Sequence, residues 1–132
     1  TVDANLVPSC VYTSPEIATV GITADEAKAQ GRAVITGKYV MSGNGKSIIE
    51  NEDRGFIKLV FDAETEKLIG AQLMCGRATD MIGEIVTAVG AGLTKAQLAM
   101  ALHPHPTFCE GITEAVHAAD GHSIHTMPPR RR

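Results

Sequence analysis

Arg54–Cys75 reads RGFIKLVFDAETEKLIGAQLMC. Its first third, Arg54–Phe61, is dense in β-branched and aromatic residues. Its last third, Leu68–Cys75, is apolar again. Between them Asp62–Lys67 (DAETEK) is a polar turn. Two β-prone runs joined by a short polar segment predict an antiparallel hairpin. Gly70, inside the second run, predicts a bulge or a close backbone approach.

Downstream of the hairpin the period changes. Met81, Ile82, Ile85, Val86 and Val89 recur at helical spacing and predict one buried helix face from about Thr79, ended by Gly90 and Gly92. Thr94-Lys-Ala-Gln97 is a capping box opening a short helix to about Ala101. A last helix is predicted from Phe108 to Ala118, with Phe108, Ile112, Ala115 and Val116 on one side; beyond Asp120 the signals fade. Upstream, Ala33–Met41 reads as a strand entering a Gly-rich loop, Ser42–Lys46. Thr23-Ala-Asp-Glu26 is a second capping box, with a helix to about Gln30 stopped at Gly31. Val7–Thr13 and Ile17–Val20 read as short strands. Strands come first, then a hairpin, then helices. That segregation predicts an α+β fold, an antiparallel β-sheet with helices packed on one face. One domain is expected over residues 1–120, and a C-terminal tail over 121–132.

Composition narrows the functional classes. The chain has 132 residues, fits one domain, and is 44% hydrophobic, enough for a packed core. Three Phe, two Tyr and no Trp leave that core to aliphatic side chains. A net charge of −3 gives no electrostatic reason to bind nucleic acid or a membrane. The one basic run, Arg130–Arg132 behind Pro128 and Pro129, reads as a solvated tail. No apolar run nears the ~20 residues of a membrane span. The start has no basic-then-apolar signal, and Thr1 in place of Met reads as a cut inside a longer chain. Three widely spaced cysteines, Cys10, Cys75 and Cys109, argue against a disulfide framework and for reduced thiols in the cytoplasm.

Chemistry concentrates in Leu102–Ala115, LHPHPTFCEGITEA. His105 ionises near neutral pH, and Glu110 follows five residues later. A carboxylate beside an imidazole orients the ring and favours its charged form, the equipment of general acid–base catalysis. Another reading of Glu110 stays open: Thr107-Phe-Cys-Glu110 is itself a capping box, and spacing alone favours the cap. His103, His105, Cys109 and Glu110 are all potential zinc ligands, but the stiff His–Pro alternation spaces them poorly for one closed site. Glu84 and Glu114 read as solvated helix positions. Cys109 could be activated by a helix N-terminus, though a buried small residue is the simpler account. Gly45-Lys46-Ser47 ends like a phosphate-binding loop, but the first glycine of that pattern would fall on Val40, so an exposed turn is expected. No G-x-G-x-x-G fingerprint occurs.

Four ordered stretches together resemble the C-terminal interface domain of the flavin-dependent pyridine nucleotide–disulfide oxidoreductases, over roughly residues 5–118. They are VYTSPEIATVGITADEAKAQG (11–31), SGNGKS with the following RGFIKLV (42–60), LIGAQLMCGRATDMI (68–82) and HPHPTFCEGITEA (103–115). The last is similar to the family's H-P-T-x-S-E signature, and its extra His-Pro favours the dihydrolipoamide dehydrogenase branch over glutathione reductase. The resemblance implies a longer chain with an FAD domain, a nicotinamide domain and a redox disulfide near its N-terminus. It implies a homodimer formed through this domain, whose His–Glu pair completes the partner's disulfide site. By position His105 is then the acid–base residue and Glu110 its orienting partner. The His105–Pro106 bond is expected to be cis, with His105 and Pro106 brought toward the partner's FAD. The whole enzyme would oxidise dihydrolipoamide, carried on a lipoyl-bearing protein, with FAD and NAD. This chain alone is expected to bind no cofactor and no metal, and to be inactive. Cys109 departs from the family's usual Ser. Two other readings remain: a stand-alone dimerising scaffold without catalysis, and a reductase of the same family acting on another disulfide.

Overall fold

The computed structural model describes Thr1 and residues 3–125. Five strands, β1 (Ser9–Val11), β2 (Glu16–Gly21), β3 (Val34–Val40), β4 (Phe56–Asp62) and β5 (Leu68–Cys75), form one antiparallel sheet in the order β1-β2-β5-β4-β3. The helices are α1 (Ala24–Ala29), α2 (Gly45–Ile49), α3 (Ala78–Gly90), α4 (Lys95–Leu98) and α5 (Glu110–Ala119).

The predicted hairpin is the centre of the sheet. Its turn closes on Asp62, whose Oδ1 accepts from the Glu64 and Thr65 amides at 3.1 and 2.8 Å, while Oδ2 accepts from Arg32 Nε at 2.8 Å. Both readings of Gly70 hold. Val60 pairs with Gly70 and Phe61 with Leu68, leaving Ile69 as an extra residue. A Cβ on Gly70 would lie 2.0 Å from the Ile22 carbonyl oxygen.

Strand alternation sends Ile57, Leu59, Phe61, Ala71 and Leu73 to one face, together with Ala18, Val20 and Tyr39 from the flanking strands, and all are buried. Each large aliphatic burial there contributes about 1.5–3 kcal/mol. Helix α3 covers β2 and β5, and α5 covers β3 and β4. The predicted stripe on α3 is buried at Met81, Ile82 and Ile85; Val86 and Val89 sit half-buried at its margin. Helix α5 lies very close to the sheet. A Cβ on Gly37 of β3 would fall 1.9 Å from the Ala115 carbonyl oxygen. Glycine at that position is what fixes the height of α5, and so of everything its first turn carries.

Several expectations need correction. The Ser42–Lys46 loop is exposed at Ser42, Gly43 and Gly45, but it is more than an exposed turn. It is a 3₁₀ turn (Met41–Gly43) running into α2, and Asn44 and Ser47 are buried. Asn44 caps α2, its Oδ1 accepting from both the Ser47 amide and hydroxyl at 2.9 Å. The first strand is shorter than Val7–Thr13, and the last helix starts at Glu110 rather than Phe108. The predicted tail begins by folding back. Ser123 Oγ donates to Glu114 Oε2 at 2.6 Å, and His125 Nδ1 bonds Glu114 Oε1 at 2.8 Å, so Glu114 is a buried, paired group and not a solvated one. Arg130–Arg132 lie outside the described residues. Among the described residues no helix is long and apolar enough to cross a membrane.

Candidate functional site

The segment joining α4 to α5 carries the site. Proline removes a backbone donor, and Pro104 and Pro106 therefore leave this segment without regular backbone pairing. Side chains hold it instead. Thr107 Oγ1 donates to the Pro104 carbonyl at 2.7 Å, the Thr107 amide donates to Glu110 Oε2 at 2.8 Å, and Asn44 Nδ2 donates to the Thr107 carbonyl at 3.0 Å. The His105–Pro106 peptide is cis. Pro104, His105 and Pro106 are all exposed.

The capping box predicted at Thr107–Glu110 is therefore half-formed. The Glu110 carboxylate reaches back to the Thr107 amide, but the Thr107 hydroxyl is spent on Pro104. Cys109 occupies the N-cap position without a side-chain cap. Glu110 has a second oxygen, and Oε1 lies 2.8 Å from His105 Nδ1. Cap and dyad are one carboxylate doing both jobs, one oxygen each.

The electrostatics follow from this geometry. Partial burial pushes the Glu110 carboxyl upward. The Thr107 amide, the His105 bond and the nearby charges of His105 and His103 outweigh it, leaving the group below its ordinary value. Glu110 is thus an anion at neutral pH. A carboxylate only accepts, so it fixes the proton on His105 Nδ1 and leaves Nε2 as the free acceptor. The His105 side chain is 79% exposed, so that nitrogen faces outward. Behind the dyad, Tyr39 is buried; burial first, then the charges of Glu114 and Glu110, push its phenol up to about 12. It stays neutral.

His103 differs in every respect. It is 10% exposed, and both ring nitrogens are engaged. Nδ1 lies 2.8 Å from Thr113 Oγ1, and Nε2 lies 2.9 and 3.0 Å from the two oxygens of Glu84. The reading of Glu84 as solvated is thereby corrected: it pairs with a histidine nineteen residues away. The only sequence hint was its place beside the apolar stripe of α3. Among the described residues no three His, Cys, Asp or Glu side chains converge on a point that could hold a metal.

Cys109 is half-buried, and burial, assisted by Glu84, raises its thiol above the ordinary range; a hydrogen bond to its own backbone lowers it less. That overturns activation by the helix and leaves a small packed residue. Cys75 is pushed up to about 12, chiefly by burial. All three cysteines are unpaired.

Comparison with known proteins places this geometry. Residues 7–116 match the family described as the pyridine nucleotide-disulphide oxidoreductase dimerisation domain. The chain is 44% identical over 123 residues to a dihydrolipoyl dehydrogenase of Bacillus subtilis, covering 93% of this chain and 26% of that one. A dihydrolipoyl dehydrogenase of Halobacterium salinarum is 38% identical over 125 residues, covering 95% of this chain and 26% of its own. Among solved structures, LpdA from Mycobacterium tuberculosis superposes with a TM-score of 0.83 at 28% identity, over 88% of this chain and 25% of that one. The HOCl-induced flavoprotein disulfide reductase RclA from Escherichia coli superposes with a TM-score of 0.79 at 25% identity, over 83% and 25%. The chain thus spans about a quarter of the length of the relatives it matches.

Proposed function

Since the chain belongs to the pyridine nucleotide-disulphide oxidoreductase dimerisation-domain family, we propose that it is the C-terminal dimerisation domain of a dihydrolipoamide dehydrogenase, residues 1–120 forming the domain and 121–132 its tail. In that reading His105 and Glu110 complete the disulfide site of the partner subunit. One observation carries it: an exposed imidazole, its Nδ1 held 2.8 Å from a carboxylate, stands on an otherwise anchored segment of a domain whose family is defined by pairing.

His105 Nε2 takes the proton of a dihydrolipoyl thiol, which is mostly protonated at neutral pH. The thiolate attacks one sulfur of the partner's redox disulfide and breaks the S–S bond. Attack by the second substrate sulfur on the resulting mixed disulfide releases lipoamide. Two electrons and two protons leave the substrate and reduce the enzyme's disulfide. Glu110 stabilises the imidazolium while the proton rests there. In the assembled enzyme FAD supplies the redox link from that dithiol to NAD. The exposed His105–Pro106 backbone fits an edge contact with a flavin enclosed elsewhere, and no residue of this chain supplies a Gly-rich phosphate cradle. The isolated chain is therefore expected to be inactive.

The partners in this reading are a second subunit and a lipoyl-bearing protein, and the compartment is the cytoplasm, in keeping with three unpaired thiols. The likeness to a flavoprotein disulfide reductase supports a second reading, in which the same pair serves another dithiol. Replacing His105 in the full flavoenzyme tests both. His105→Gln is expected to lower dihydrolipoamide oxidation by roughly 10²–10⁴-fold, the range of a lost general base, with hydride transfer between nicotinamide and flavin largely intact. Equal loss of both activities, or of neither, rejects the role. A panel of dithiol substrates separates the two readings.

A further inference from the structure

We propose that His103, clamped between Glu84 and Thr113, is a positioning residue that sets where His105 stands relative to Glu110. This rests on the acid–base role given to His105 above.

The His-Pro-His-Pro run places two imidazoles two residues apart in opposite surroundings. One is 79% exposed with a single nitrogen bonded; the other is 10% exposed with both nitrogens bonded. Glu84 only accepts, so His103 Nε2 carries a proton, and Nδ1 meets the Thr113 hydroxyl. With both nitrogens filled, His103 cannot shuttle a proton without breaking the clamp.

Its position explains its use. Glu84 lies on α3 and Thr113 on α5, so one ring ties the segment to both core helices. Thr113 stands three residues after Glu110, which places the two side chains on one face of the first turn of α5. The segment is thus fixed to that turn three times, by His103 on Thr113 and by His105 and the Thr107 amide on Glu110. Apolar burial within the chain does not do this work, because the flanking Met100 and Leu102 are exposed. A clamp of this kind matters for proton transfer because displacement of a reacting group by about 1 Å can cost on the order of 10²-fold.

Paired substitutions separate positioning from bulk stability. In the full flavoenzyme, Glu84→Ala and Thr113→Val are expected to lower kcat for dihydrolipoamide oxidation by roughly 10–100-fold. KM should change little, and hydride transfer between nicotinamide and flavin should persist. Glu84→Gln and Thr113→Ser keep an acceptor or hydroxyl and should recover most of the loss. In this 132-residue chain, ring-¹⁵N NMR should show the His105 Nδ1–H···Glu110 bond lost in Glu84→Ala and restored in Glu84→Gln. Wild-type kcat and an intact His105 signal in Glu84→Ala would overturn the clamp, as would conservative variants no better than the truncations. If His105→Gln is inactive while Glu84→Ala is fully active, the clamp falls and the role of His105 stands. If His105→Gln is itself fully active, the acid–base reading falls, and the NMR signal alone decides the clamp.

Discussion

Glu110 decides the chemistry at the scale of a single residue. Its two oxygens are divided between the Thr107 amide and His105 Nδ1, both at 2.8 Å. The sequence offered cap and dyad as rivals because spacing cannot show which oxygen goes where; the fold satisfies both. The carboxyl is held below its ordinary value despite partial burial. Its contribution to stability is therefore fully present above the unfolded value of about 4.3 and is lost as pH falls through the lower folded value. Glu110→Gln should flatten that part of the acid unfolding curve, measured by circular dichroism between neutral pH and pH 2. An unchanged acid limb would contradict the assignment. Glu84 and Glu114 show where reading residues in order fails. Their partners, His103 and His125, lie nineteen and eleven residues away and arrive only through folding.

At the scale of elements, motifs with both partners close in sequence were legible. The capping boxes at Thr23–Glu26 and Thr94–Gln97 form as read. The one at Thr107–Glu110 forms only in part, because Pro104 offers the Thr107 hydroxyl a competing acceptor. The hairpin, its bulge and the helix stripes were legible because burial imposes periods of two and 3.6 on them. Helix α2 was not. It is five residues long, and its cap residue is buried against a carbonyl sixty-three residues away. Asn44 therefore joins a local cap to the functional loop. Asn44→Ala removes the α2 cap and leaves the Thr107 carbonyl without its donor. We expect a loss of about 1–3 kcal/mol in urea unfolding. Amide exchange should rise in both α2 and residues 104–109. Faster exchange confined to α2 would show that the two are not coupled.

At the scale of the molecule, the sheet gives one face to α3 and α5, and the segment between α4 and α5 projects outward with its imidazole bare. The proposed acid–base pair, with its imidazole exposed at an edge, needs a second surface to act on. Pairing of subunits by the family's dimerisation domain provides one. The chain covers about a quarter of its relatives' length, and under the proposed function its own residues hold half of a site. The proposal that a flavin and a disulfide stand on the other side rests on resemblance to the family alone, because no nucleotide fingerprint and no C-x-x-x-x-C pair lies in these 132 residues. Mixing two inactive forms of the full flavoenzyme, one carrying His105→Gln and the other lacking its redox cysteines, measures the central claim directly. In an exchanged one-to-one mixture, each hybrid dimer regains one composite site, so dihydrolipoamide oxidation should return to about a quarter of the wild-type rate. A mixture that exchanges subunits and stays as inactive as its parents would mean that His105 does not act across the seam.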